Sequence, residues 1–267
     1  MAASISDVST PRREGETFRL DVPPGWRQGR GAFGGLTIGA AVRAIELRVA
    51  DPRRKVRSVT AELTAPVEAG PAELAVDVLR SGSSVTVARA ALRQAGEVRA
   101  HAVAVLAADR PATGALAWRE LEPPRSPPWR DLAPAPMAPP APEPEFVRHF
   151  EYRILEGVPL SGGDARCVGW IRPAVPSAVR DAGYIAALAD AWFPAAMVRV
   201  HEARPMATIA YTLDLISELD GLDPQAPLLY RGTVPVCADG YFLETRELWG
   251  EDGRLVAINQ QTFAIIA

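Results

Sequence analysis

A carboxylate sits where an apolar helix has little use for one. Ala187-Leu188-Ala189-Asp190-Ala191-Trp192-Phe193 surrounds Asp190 with side chains that belong in a core. Burying such a group is costly unless it is paired or hydrogen-bonded. Burial also raises its pKa toward the range of a general base. The competing reading is an Asp on a solvent-facing helix edge, or a cap. Thr208 follows Arg204-Pro205-Met206-Ala207 at a strand start. Its hydroxyl can hold a water, although Thr is also a favoured strand residue. Thr212 is the alternative, four residues along and so on the same face of a regular strand. Gln260 and Gln261 interrupt an apolar segment, Leu255 to Ile266. They point to opposite faces, so at most one faces the core. A primary amide both donates to and accepts from a water. Gly34-Gly35 opens an apolar helix, whose first N–H groups are free and whose N-terminus is electropositive. Such an end can stabilise an oxyanion, and glycine permits close approach. Tight packing at a loop-to-helix junction accounts for the same glycines equally well.

The elements that must hold these residues occur twice. Gly34 to Ala50 reads as one Gly-led, Ala-rich helix, with a stripe at Ile38, Ala41, Val42 and Ile45. Gly183 to Val198 reads as a second, with Ile185, Leu188, Ala189 and Trp192. Alternating segments follow each. After the first come residues 56–63, 72–80, 83–94 and 98–106; after the second come 207–218, 228–237, 240–249 and 254–266. Arg80-Ser81-Gly82, Ala95-Gly96, Ala238-Asp239-Gly240 and Glu251-Asp252-Gly253 are hairpin-turn signals. The order predicts an internal duplication in an α+β fold: two antiparallel sheets, each wrapped round one buried helix. The copies differ chemically. Asp190 stands where the first helix has Val42, and Asn259-Gln260-Gln261 where the first copy has Ala102-Val103-Ala104. Between the copies, residues 109–145 are rich in proline, which excludes helix interiors and central strands. They read as a linker draped over the surface, pinned by Trp118 and Trp129. The expected division is residues 1–108, a linker at 109–145, and residues 146–267.

Composition excludes several classes. A net charge of −3 leaves no footprint for nucleic acid. No apolar run is long enough for a membrane span, and the N-terminus lacks the apolar core of a secretory signal. Cys167 and Cys237 form neither a disulfide framework nor a zinc site, as expected of thiols in a reducing cytoplasm. His101, His149 and His201 are scattered. No nucleophile elbow, dinucleotide fingerprint or phosphate loop occurs, so no cofactor or metal is expected. The cluster from Asp51 to Arg57 reads as a solvated loop, with coenzyme A phosphates as the alternative partner.

Ala32-Phe33-Gly34-Gly35-Leu36-Thr37-Ile38-Gly39-Ala40-Ala41 resembles the F-G-G-x-x-x-G-x-A opening of acyl-CoA thioesterase II-like proteins. Residues 60–67 resemble that family's strand ending in Pro-Val. Residues 79–85 resemble its R-x-G-R-S-V turn, with Ser83 where Arg is commoner. Ala189-Asp190, Ala207-Thr208-Ile209 and the run from Gly253 to Gln261 follow in the family's order. The ordered set spans nearly the whole chain outside the linker. The resemblance implies a double hotdog and a thioester hydrolase of fatty or other acyl-CoA. By position it assigns Asp190, Thr208 and Gln261 to hold and activate a water; the helix end at Gly34 and Gly35 would then supply the oxyanion donors. One departure is local: relatives often have Thr-x-Asp where this chain has Thr208-Ile209-Ala210. Exposed sheet edges and the resemblance point to a homodimer. The rival function is a non-catalytic acyl-thioester-binding module on the same fold. A hydratase would want a His on the second helix region, where this chain has Ala195 and Ala196.

Overall fold

Proline decides where the second long helix stops. In the computed structural model, which describes residues 3–110, 118–135, 144–215, 217, 219–223 and 225–266, that helix ends at Asp190 and not near Val198. Pro194 has no N–H to continue it. The chain resumes as a single turn, and Ala195 N–H there donates to the buried carboxylate of Glu244 (2.9 Å).

In chain order the first half comprises α1 (Ile5–Val8), β1 (Arg12–Glu14), β2 (Thr17–Val22), β3 (Arg27–Gln28), β4 (Gly31–Ala32), α2 (Gly34–Val49), β5 (Lys55–Leu63), β6 (Gly70–Ser81), β7 (Val85–Gln94) and β8 (Glu97–Ala107). The second half comprises β9 (Phe150–Glu156), β10 (Arg166–Pro173), α3 (Ala182–Asp190), α4 (Ala196–Arg199), β11 (Met206–Leu215), β12 (Leu228–Ala238), β13 (Tyr241–Trp249) and β14 (Leu255–Ile265). The expected strands form with small shifts at their ends. β1 to β4, β9 and β10 lie outside the strands expected from the sequence.

Among the described residues, the strands form one twelve-stranded antiparallel sheet in the order β1-β2-β6-β7-β8-β5-β11-β14-β13-β12-β10-β9, besides the small β3–β4 pair. Read inward from its two ends, the sheet repeats: β2-β6-β7-β8-β5 mirrors β10-β12-β13-β14-β11. The halves therefore fuse along the β5–β11 seam, where Thr60 pairs with Thr212 and Ala61 with Tyr211.

α2 packs on β6, β7, β8 and α3. The two helices approach through glycine. A Cβ on Gly39 would lie 2.8 Å from Gly183 O, and one on Gly35 would lie 2.8 Å from Ala187 O. Gly183 meets Gly39 O in the same way, at 2.8 Å. These reciprocal contacts make Gly35 the counterpart of Gly183, and the same offset makes Val42 the counterpart of Asp190.

The linker residues 118–135 cover the outward face of the second half. Trp129 is buried there with Val168, Trp170, Leu229, Trp249 and Leu255. The guanidinium groups of Arg153 and Arg172 lie 4.3 and 4.9 Å from its ring centroid. Trp170 Nε1 donates to Ser126 Oγ (2.6 Å). Trp118, expected to help pin the linker, is 73% exposed and does not.

Candidate active site

The inward face of the second half is polar where that of the first is not. Along β13 and β14, Glu244 pairs with Gln261 and Arg246 with Asn259. All four side chains are buried. On the corresponding strands β7 and β8 of the first half, Ala90 pairs with Ala102 and Ala88 with Ala104, all equally buried. Four buried polar side chains need partners: Glu244 and Arg246 pair with each other, and Asn259 and Gln261 form a chain that ends on Asp190.

Asp190 is the last residue of α3 and is 5% exposed. Gln261 Nε2 donates to its Oδ1 (3.2 Å) and to Asn259 Oδ1 (2.9 Å). Gln261 Oε1 accepts from Thr208 Oγ1 (2.8 Å). Asn259 is fixed in turn, donating to Thr212 O (2.6 Å). Gln261 thus has its amide orientation set from both ends, and it aims one N–H at the carboxylate. Gln260 points outward and is exposed.

Thr208 reaches this network through a β-bulge. Tyr211 pairs with Gln261 and Ala210 with Thr262, but Thr208 pairs with Phe263. Ile209 is the extra residue, and it is exposed. The bulge reverses the alternation, so Thr208 faces inward beside Gln261. Thr212, expected on the same face as Thr208, pairs with outward Gln260 and lies on the other face. Ala210, the departure from the family pattern, also lies on that outward face beside Thr262.

The first half supplies the other wall. Gly34 begins α2, whose N-cap Phe33 provides no side-chain cap. A Cβ on Gly34 would lie 2.8 Å from Asp190 Oδ2 and 2.9 Å from Leu63 Cδ1. The Gly35 amide faces the same carboxylate and favours its charged form, although Oδ2 itself has no partner of full hydrogen-bond geometry. The N-terminus of one helix therefore abuts a carboxylate at the C-terminus of the other. All five expected residues, Gly34, Gly35, Asp190, Thr208 and Gln261, come together.

Electrostatics raises the pKa of the carboxylate. Burial pushes the Asp190 pKa up to about 6, against the opposing pull of Arg246, Gln261 and the Gly35 amide. Arg246 and Glu244 are the groups the sequence did not reveal. Arg246 donates from Nε to Glu244 Oε1 (2.9 Å) and from Nη1 to Ala189 O (2.8 Å). Glu244 also accepts from Tyr230 OH (3.1 Å). Burial raises the Glu244 pKa, while Arg246 and its hydrogen bonds resist. This pair ties β13 to the last turn of α3 and brings a cation close to Asp190.

Other candidates lie elsewhere. His149 stacks on Trp26 at 3.9 Å between centroids, and His101 pairs with Glu62 on an exposed strand surface. The basic cluster begins beyond the far end of α2, about 24 Å from Gly34 for a helix of this length. Among the described residues no His, Cys, Asp or Glu cluster could hold a metal, and no helix is long and apolar enough to cross a membrane.

Comparison with known proteins agrees with this construction. Residues 22–107 match the model of the acyl-CoA thioesterase N-terminal domain, and residues 129–265 match that of the C-terminal domain. The chain belongs to the acyl-CoA thioesterase II-like family. This thioesterase-family chain also superposes on solved structures along almost its whole length. A conserved hotdog-fold protein of unknown function from Alicyclobacillus acidocaldarius matches with a TM-score of 0.89 and 24% identity, over 100% of this chain and 99% of the other. An acyl-CoA thioesterase II from Mycobacterium marinum matches at 0.77 and 20%, over 98% of each chain. The tesB protein of Mycobacterium avium subs paratuberculosis matches at 0.79 and 18%, again over 98% of each. At these identities the superpositions establish the double-hotdog fold. None of the curated proteins matches the sequence.

Proposed function

We propose that this family member hydrolyses an acyl-CoA thioester with water activated by Asp190. A single observation carries the reading: the free N-terminus of α2 abuts the buried carboxylate of Asp190, which Gln261 and Thr208 orient from the other side. In this mechanism the water binds at Asp190 Oδ2, the carboxylate oxygen that Gln261 leaves free. The Asp190 carboxylate takes its proton while the oxygen attacks the thioester carbonyl. A substrate carbonyl at the start of α2 takes up the Gly34 and Gly35 amides, and the oxyanion forms against the positive end of the helix. The tetrahedral species then expels the thiolate, which recovers the proton from Asp190. The products are a carboxylic acid and free coenzyme A. A base with a pKa of about 6 is mostly ionised at neutral pH, which suits this role.

The test is thiol release from a panel of acyl-CoAs of graded chain length. Asp190→Asn is expected to lower kcat/KM by about 10²–10⁴-fold in a folded sample. In the wild type, kcat/KM is expected to rise with pH through about 6 and then level off. Unchanged turnover in Asp190→Asn removes the mechanism. Acyl-CoA binding without turnover by the wild type replaces it with the binding-module reading.

A further inference from the structure

The opposite end of the helix pair holds a cavity of about 530 Å³. It lies between the last turns of α2, the start of α3, the beginning of β5 and the segment after β11. Its lining includes Ala182, which the same helix offset makes the counterpart of Gly34. Its volume is in the range of small-molecule pockets. Val56, Leu106, Val179, Leu215 and Leu219 supply apolar wall.

The cations that line it are not equivalent. Arg54 is paired with Asp51, Lys55 with Asp109 and Asp220, and Arg57 with Asp109. Arg180 is different. It is 6% exposed, and among the described residues no carboxylate pairs with it. Its Nη2 donates to Ala226 O, while Nε is buried without a partner. Tyr184 lies behind it, outside the cavity lining, its ring centroid 5.4 Å from the guanidinium. Arg180 lines the cavity with no carboxylate among the described residues to neutralise it, and an anion there gains a charge-assisted contact.

We propose that this cavity binds an aliphatic monocarboxylate, with the carboxylate on Arg180 and the chain along Leu106, Leu215 and Leu219. One unpaired cation matches one negative charge. A polyphosphate would have to break the pairs that occupy Arg54, Lys55 and Arg57. Glu46, which also lines the cavity, is pushed up to about 7 by burial and by nearby Asp181, against Arg43. Its carboxyl therefore repels an anion less than an ordinary glutamate. The site is separate from Asp190 and does not depend on hydrolysis there.

The test is calorimetric titration of the full chain with octanoate, 1-octanol and octylammonium. Octanoate is expected to bind at least about tenfold more tightly than the other two, the weight of one charge-assisted contact. Arg180→Gln is expected to weaken octanoate by a similar factor. Val179→Glu, a change at an exposed position on the cavity rim, is expected to do so without disturbing the core. Asp190→Asn is expected to leave octanoate binding unchanged. The proposal is overturned if octanoate does not bind, if it binds no better than octanol, if Val179→Glu binds it like the wild type, or if Asp190→Asn abolishes binding.

Discussion

The helix pair has two ends, and at each the N-terminus of one helix meets the C-terminal turns of the other. At one end α2 starts without a side-chain cap and faces Asp190. At the other, Asp181 caps α3 by accepting from Tyr184 N–H (2.7 Å). Arg43 then grips Asp181 with Nε and Nη2, at 2.8 and 2.7 Å, and reaches Ser9 and Ser6 of the N-terminal segment. The capped end spends its donors on stability. The bare end leaves its positive terminus facing a carboxylate whose pKa burial raises to about 6. The sheet beneath follows suit, with alanines in one half and Gln261, Asn259, Glu244 and Arg246 in the other. Duplication gave two equivalent places, and their side chains now serve different purposes.

That contrast can be broken at several points. The largest effect is expected from Arg43→Met at the capped end. It strands Asp181 and two serines, and should cost about 3 kcal/mol in chemical denaturation. The folded fraction should keep its kcat/KM. A parallel loss of turnover would mean that the two ends are not functionally distinct.

At the bare end the expectation has the opposite sign. Asp190 holds its proton to about pH 6 in the folded chain, whereas its ordinary value is 3.8. The folded state therefore binds more protons between these values, and stability falls as pH rises through that window. Above it the buried charge costs up to about 3 kcal/mol. Asp190→Asn should raise the Tm at pH 8 and much less at pH 4. An equal gain at both values would show that charge is not the cause.

Gly34→Ala sharpens the comparison further. The new methyl would meet Oδ2 at 2.8 Å and push the carboxylate away from α2. Turnover should drop about tenfold, equivalent to about 1.4 kcal/mol, with little change in the far-UV spectrum. The smallest effect is expected from Thr208→Val, which keeps the shape and removes one hydrogen bond to Gln261. A loss of about 1 kcal/mol in transition-state stabilisation follows if the hydroxyl only orients the amide. A loss as large as that of Asp190→Asn would make the hydroxyl a direct participant.

Much of this was legible in the sequence, for reasons that particular residues show. Asp190 stood out because its neighbours are apolar, and the hairpin strands because their turn residues are explicit. The face of Thr208 was legible only in part. Counting by twos from Thr208 puts Thr212 beside it, and no residue type at Ile209 announces the bulge that separates them. Glu244 and Arg246 were hidden by their own strand. In Tyr241–Trp249, Phe242 and Leu248 mark one face, yet Leu243 and Trp249 mark the other equally well. The linker makes this ambiguity physical, since Trp129 buries the outward face too. It also erases the alternation of β10, where Cys167 and Val168 are both buried. β2 was different, because Phe18, Leu20 and Val22 alternate cleanly and could have been read.

The seam between β5 and β11 joins residues about 150 positions apart in the chain. Contacts of such range close late and slowly when a chain folds. The start of α2 and the carboxylate of Asp190 come from opposite sides of that seam. Each half can collapse and gain its strands while the pair that faces across the helices is still unmade. The proposed turnover is then expected to report the last event of folding. In a refolding time course it should lag behind the recovery of secondary structure, and neither half alone should recover it.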